Sequence, residues 1–593
     1  MDIDRYTPIR DHAAIGDGRT IALVGLDGSI DWLCLPDLDS PSVFGSLLDA
    51  GSGGAFTLAP DLPFESTHRY VEGTNVLVTE YTTPMGAVRV TDGMTLPGDD
   101  LAPFRELART VERIAGEVPM RWSVTPRFGY GRDRTTIAVR HGIPVASAGK
   151  VALAVNTWDA GSPRLGPSSI EGRFVARGDA GIAISVAAQE PLVFPSRDDV
   201  ERRMKDTAEF WRTWAHTCVY DGAWRDAVER SALALKLLVF APSGAVAAAA
   251  TTSLPEDLGG ERNWDYRFCW LRDSAFTVSS FLRLGYVAEA DAFFWWLMHA
   301  SQLTHPRLRV LYGLDGGVAA TETELPLAGY RGSAPVRVGN AAVGQVQLDI
   351  YGSLMQAAWV YTEAGRPIDG EVARRLARTA DLVCDIWREP DSGIWEVRSE
   401  PRHFTHSKMM CWVALDRAIG LAGRGHIHGS VDRWSAQRQA IGSFIESRCW
   451  SESRRSYVRS AGSSELDASV LLGALLGYGD PHDPRMTCTI DAIRSDLGRG
   501  PFLDRYRGTD GMRGSEGAFL ACSFWLVEAL ARSGRRSEAS SLMGELVSRA
   551  NDVGLYSEEI DASDGEFLGN FPQALSHLAL IGAAVALEQM SSP

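Results

Sequence analysis

From residue 1 to about 195, apolar and polar positions alternate or gather in short β-branched runs, at 21–24, 30–35, 75–81, 87–91, 110–114, 121–125, 151–155 and 181–187. Successive side chains of a strand point to opposite faces, so a period of two marks a half-buried strand. Turn residues such as Asp27-Gly28 and Pro84-Met85-Gly86 separate the runs. Many short strands at fairly regular spacing predict a sandwich of antiparallel sheets. Past Ser196 the texture changes. A charged, helix-like segment over 198–214 follows Pro195, and beyond about 224 apolar residues recur at intervals of three and four.

The helical part divides into about twelve helices, at roughly 224–241, 273–284, 287–304, 347–365, 369–388, 405–423, 430–447, 467–477, 484–497, 519–533, 535–550 and 571–589. Links after the even-numbered helices are short and links after the odd-numbered ones are long. Short links make antiparallel hairpins. Strict alternation predicts a barrel of six helical hairpins with every long loop at one end, where a site would form. The expected organisation is a β-sandwich domain over 1–195, a helical linker over 196–223 and an (α/α)6 barrel over 224–593.

Composition narrows the partners. With 59 Lys and Arg against 75 Asp and Glu the net charge is −16, which argues against nucleic acid or an anionic membrane as the main partner. The first residues lack the layout of a secretory signal, and no apolar run approaches the ~20 residues of a membrane span. Eight scattered cysteines without a C-x-x-C pair fit buried thiols in a reducing compartment. A cytoplasmic protein is expected, with a homo-oligomer left open. Gly16-Asp17-Gly18 is too short for a phosphate loop, and His403 and His406 lack a third ligand. No metal and no cofactor are expected.

The long loops carry the candidate chemistry. In Asp391-Ser392-Gly393-Ile394-Trp395-Glu396-Val397-Arg398 a carboxylic acid directly follows an indole. Beside an apolar ring its anion is poorly solvated, so it can hold a proton near neutral pH and act as a general acid; alone, the stretch also reads as a surface turn anchored by its Trp. The loop 261–273 is dense in aromatic and charged residues and ends in Trp270-Leu271-Arg272-Asp273. Asp273 reads either as a helix cap or, with Arg272, as a donor–acceptor pair for adjacent sugar hydroxyls. Tyr330-Arg331-Gly332-Ser333 and Arg337 lie on a third loop, Glu516 ends a fourth, and Ser557-Glu558-Glu559 adds a second carboxylate pair. Two carboxyl groups from different loops of one cavity suffice for inverting glycoside hydrolysis.

Together the motifs resemble glycoside hydrolase family 15, the glucoamylase and trehalase-like proteins, over nearly the whole chain. The resemblance rests on Ile15 to Thr20, Asp27-Gly28-Ser29-Ile30-Asp31-Trp32, Arg262 to Asp273, Gly393-Ile394-Trp395-Glu396, Phe404 to Lys408, Ser557-Glu558-Glu559 and Gly569 to Gln573. It implies a sandwich, an (α/α)6 barrel, and release of β-glucose from the non-reducing end of a small α-glucoside. Under it Glu396 is the general acid and Glu558 the general base, with Glu559 the fallback. Arg272 and Asp273 grip the terminal glucose, Trp270 and Trp395 line its seat, and Arg337, Glu516 and Glu559 are further substrate-binding candidates. Trehalose and short α-1,4- or α-1,6-linked oligosaccharides both remain as substrates. An inverting phosphorylase and a catalytically silent sugar-binding protein are the rival readings.

Overall fold

The computed structural model describes residues 5–96, 105–188, 190–318, 320–508, 510–512 and 514–589. Sixteen of its strands form two eight-stranded antiparallel sheets. One runs from edge to edge through His12–Gly16, Ile21–Gly25, Ser29–Cys34, Ala55–Pro60, Val118–Thr125, Ile170–Ala176 and Arg164–Leu165, with Ser42–Phe44 paired on Ser29–Cys34. The other runs through Thr136–Arg140, Ile143–Ala148, Val151–Trp158, Ala180–Ala187, Arg105–Gly116, Gly86–Met94, Leu77–Thr83 and Glu65–Tyr70. All eight predicted runs fall in strands. The sheets bury Trp32, Trp122 and Tyr81. Between them Arg109 is tied to Asp92 by two hydrogen bonds of 2.8 and 3.1 Å and donates to the Gly28 carbonyl across the sandwich at 2.9 Å. A buried guanidinium is tolerable only with its donors used in this way.

Helix α1 (Arg197–Ala215) opens with a capping box, Ser196 and Asp199 each satisfying the other's backbone amide. Twelve helices follow among the described residues: α2 (Arg225–Leu238), α3 (Ser274–Leu284), α4 (Val287–Gln302), α5 (Asp349–Glu363), α6 (Gly370–Ile386), α7 (Thr405–Gly423), α8 (Val431–Arg448), α9 (Leu472–Leu476), α10 (Pro484–Leu497), α11 (Leu520–Arg532), α12 (Arg536–Val547) and α13 (Ala574–Gln589). Helices α3, α5, α7, α9, α11 and α13 pack each on the next, and α13 returns to α3, closing an inner ring. The partners in between lie outside it, as in α3 with α4, α7 with α8 and α11 with α12. This is the (α/α)6 barrel. The inner helices are apolar nearly all round, as α13 shows with thirteen buried residues in sixteen, because neighbours flank them on every side.

The structure departs from expectation at one helix. In place of a helix over 467–477 there is a 3-10 turn, Ala468–Leu471, and then the single α-helical turn and a little more of α9. Asp467 caps the turn through Ser469 and also accepts from Trp395 Nε1 at 2.9 Å, so this segment is shaped to hold a loop of the cavity.

The sandwich braces the loop end of the barrel. Trp32 Nε1 donates to the Ala250 carbonyl at 2.9 Å, Arg10 to the Gly565 carbonyl at 2.9 Å, and Asn551 to the His12 carbonyl at 2.8 Å. Arg267, in the loop that precedes α3, is held by Asp265 at 2.7 Å and reaches the Ser40 carbonyl at 2.8 Å. No helix of the described residues is long and apolar enough to cross a membrane.

Candidate active site

The long loops 239–273, 303–348, 387–404, 498–519 and 548–573 converge at one end of the barrel. They enclose a cavity with an open mouth, about 690 Å3 of space when the solvent in that mouth is counted with it. Trp270, Arg272, Trp395, Glu396 and Glu558 all lie on its wall. Five residues chosen from three separated stretches of sequence therefore meet in one hollow.

Glu396 sits on a loop whose base is pinned by reciprocal hydrogen bonds of 2.9 Å between Asp391 and Arg402. Its φ is +56°. A non-glycine residue in that region costs about 1–3 kcal/mol and persists only where surroundings impose it. Trp270 Nε1 donates to Glu396 Oε1 at 2.5 Å, and the Arg272 guanidinium stands 3.8 Å from the same oxygen. Burial raises the Glu396 pKa, with Arg272 and the Trp270 N–H acting against it. Trp395 is buried among Phe519, Trp525 and the Arg505 guanidinium. It thus anchors its loop, and its neighbour Glu396 is left facing the cavity.

The second carboxylate immediately precedes a small sheet of Ala518–Phe519, Glu559–Ile560 and Phe567–Leu568. Alternation along an extended chain sends Glu558 and Glu559 to opposite sides. Glu558 faces the cavity, 1% exposed, and burial pushes its pKa up to about 7. The Arg505 charge, the Tyr266 hydroxyl and the Asn570 amide, which approaches Oε2 at 3.4 Å, all favour its anion. Gly569 lies against it: a Cβ there would come within 2.5 Å of Glu558 Oε2. Glu559 turns away, accepting from the Gly517 amide at 2.8 Å.

Four of the sequence-derived candidates stand behind the wall rather than on it. Asp273 accepts from Arg272 Nε at 2.7 Å; it occupies the N-cap position of α3 but its side chain caps nothing, because the carboxylate is committed to the guanidinium. Glu516 bonds Arg262 at 2.5 Å and Arg505 at 2.8 Å, Glu559 is 3.6 Å from Arg505, and Arg337 donates to the Glu261 carbonyl at 2.8 Å.

Sequence reasoning missed several wall residues, Arg505, Glu256 and Tyr266 among them. Arg505 joins Glu256 at 3.0 Å to Glu516 and Glu559, and Glu256 also accepts from Trp264 Nε1 at 3.1 Å. Burial raises the Glu256 pKa to about 8 against the pull of Arg505. Tyr266, 5.1 Å from Trp270 between ring centres, completes the floor. Nothing local marks Arg505 and Glu256 out as a pair; they lie 249 residues apart. The carboxylates of Glu256, Glu516 and Glu559 converge within 4.8 Å, the one such group among the described residues, but the guanidinium of Arg505 already places positive charge among them.

Comparison with known proteins accords with this geometry. A family model described as glycosyl hydrolases family 15 matches residues 222–585, and one described as trehalase-like, N-terminal, matches residues 3–154. A trehalase of Mycobacterium tuberculosis is 39% identical, covering 98% of this chain and 89% of its own length. One of Thermoplasma volcanium is 36% identical, covering 99% and 95%. Among solved structures, a bacterial glucoamylase complexed with acarbose matches 98% of this chain and 94% of its own with a TM-score of 0.73; at 13% identity that likeness is one of fold.

Proposed function

The chain belongs to glycosyl hydrolases family 15 and is a glycoside hydrolase, and we propose that it cleaves trehalose with inversion, releasing β-glucose. The observation that carries this reading is that Glu396 and Glu558, from loops on different sides of the barrel mouth, line one cavity. Glu396 holds a proton and gives it to the glycosidic oxygen as the C1–O bond breaks. Trp270 Nε1 and Arg272, at 2.5 and 3.8 Å, stabilise the carboxylate that remains. Glu558, ionised, takes a proton from the water whose oxygen bonds to C1. The pleat that points Glu558 into the cavity and Glu559 out of it favours Glu558 as the base. Arg272, held by Asp273, and the walls of Trp270 and Trp395 seat the glucose that is attacked. Arg337, Glu516 and Glu559 support wall residues through Trp264, Arg262 and Arg505. Trehalose as the substrate rests on the two trehalases that match this chain along almost its whole length.

The test is turnover. Glu396→Gln and Glu558→Gln, each folded, lower kcat on trehalose by several orders of magnitude, and NMR of fresh product shows β-glucose from the attacked ring with an equal amount of α-glucose from the leaving one, whose own C1–O bond is not broken. Fresh product that is α-glucose alone, as retention gives, or near-full activity in both variants, sinks the assignment. Glucose release that requires added phosphate points instead to a phosphorylase.

A further inference from the structure

The wall has a second part that the two carboxylates do not use. Strand Asn263–Asp265 pairs with Thr252–Pro255. Asn263 and Asp265 turn inward to full burial, so alternation turns Trp264 between them to the cavity. Its indole is held from several sides. Nε1 donates to Glu256 at 3.1 Å, and the guanidinium carbons of Arg398 and Arg337 lie 4.3 and 4.7 Å from the ring centre. Glu322 ties those two arginines together, 3.1 Å from Arg398 Nη2 and 3.5 Å from Arg337 Nε. A tryptophan gripped by two cations and a carboxylate is a rigid surface, since each contact fixes the ring and removes rotamer freedom.

Exposure gives the cavity a direction. Glu558 is 1% exposed at the bottom, the Glu396 side chain 20%, and the Arg398 side chain 36% at the rim. A substrate attacked between Glu396 and Glu558 buries its first ring below and leaves its second ring at the height of Trp264 and Arg398. Gln345, also on the wall, spends one amide hydrogen on the Glu396 carbonyl at 3.0 Å and keeps the other for a hydroxyl. Arg398 lies two residues beyond Glu396 on the same loop, so the acid and the rim are positioned by one segment.

We propose that Trp264 and Arg398, clamped by Glu322 and Glu256, form the seat of the departing sugar, a plate for one pyranose ring that makes the leaving half of an α-linked disaccharide the specificity-determining part. This rests on the hydrolase reading above. Binding energy from that non-reacting ring orients the bond to be cut, so damage to the seat reduces kcat/KM for a disaccharide and spares a substrate without a second sugar.

The test compares trehalose with α-D-glucosyl fluoride, whose leaving group is a single atom. Trp264→Ala loses at least about tenfold more kcat/KM on trehalose than on the fluoride, as expected for truncating a buried aromatic anchor. Trp264→Phe regains part of that difference, and Arg398→Met shows it independently should Trp264→Ala fail to fold. Equal losses on both substrates overturn the proposal, because Trp264 then serves the first ring or the fold; so does an undiminished rate on trehalose. A wild-type chain that cleaves the fluoride and maltose but not trehalose refutes the substrate assignment alone, and the same ratio taken on maltose then decides the seat.

Discussion

Replacing Trp270 by Phe removes one hydrogen from the site and nothing else of comparable chemistry. The lost donor is the Nε1–H that meets Glu396 Oε1 at 2.5 Å in a position 2% exposed. A hydrogen bond to a charged partner contributes about 1.5–3 kcal/mol. Its loss withdraws that support from the anion, so it raises the Glu396 pKa further. Arg272, 3.8 Å away, still favours the anion, so the acid remains functional but weaker. A general acid works only while protonated, so a higher pKa carries the alkaline limb of kcat/KM to higher pH. The plateau rate falls at the same time, because the carboxylate formed in the transition state has lost its donor. The assay is a pH–rate profile of trehalose hydrolysis for both proteins, with thermal unfolding as control, since Trp→Phe in this cluster also leaves a small void. An alkaline limb that stays in place, or moves to lower pH, in a folded variant refutes the assignment of Glu396 as the acid held by Trp270.

Two further outcomes follow from buried groups. Gly569 has φ +71°, and a Cβ there would meet Glu558 Oε2 at 2.5 Å; Gly569→Ala therefore displaces the base and lowers kcat by roughly a hundredfold, with KM changed less, and a steady-state assay giving full kcat would show that Glu558 need not be where it is. Asp349 is wholly buried, neither carboxylate oxygen has a hydrogen-bond partner, and burial beside Asp391 raises its pKa from 3.8 to about 7. Its folded pKa exceeds the unfolded one, so the folded state binds the proton more tightly and the ionised group destabilises. Stability is lost as pH rises from about 4 through 7, to a total of about 4 kcal/mol. Asp349→Asn, neutral throughout, thus gains stability over wild type between pH 4.5 and pH 8; urea unfolding that shows the opposite trend excludes an ionisable Asp349 of this kind.

The local patterns of the chain determined much of this protein. Period two and period three to four separate the sheets from the helices because each element buries one face in its own rhythm. The alternation of short and long links is a consequence of antiparallel hairpins, and it placed every long loop at one end before any contact was known. Strands such as Glu65–Tyr70 and Thr136–Arg140 escaped notice because an edge strand buries little and its residues carry no apolar rhythm. Trp395-Glu396 and Trp270 to Asp273 were legible because their aromatic and charged residues stand side by side in the chain.

Only the tertiary structure decided what those residues meet. Trp270 and Glu396 lie 126 positions apart, Arg505 and Glu256 lie 249, and a hydrogen bond between residues so distant leaves no mark on the sequence near either one. The same holds for the division of labour in Ser557-Glu558-Glu559. Two adjacent glutamates are chemically identical in the unfolded chain, and the fold alone leaves the one just before a three-stranded sheet in the cavity and turns the one inside the sheet to an amide and a guanidinium. Burial then separates their environments, because desolvation acts on where a carboxylate ends up and not on what precedes it.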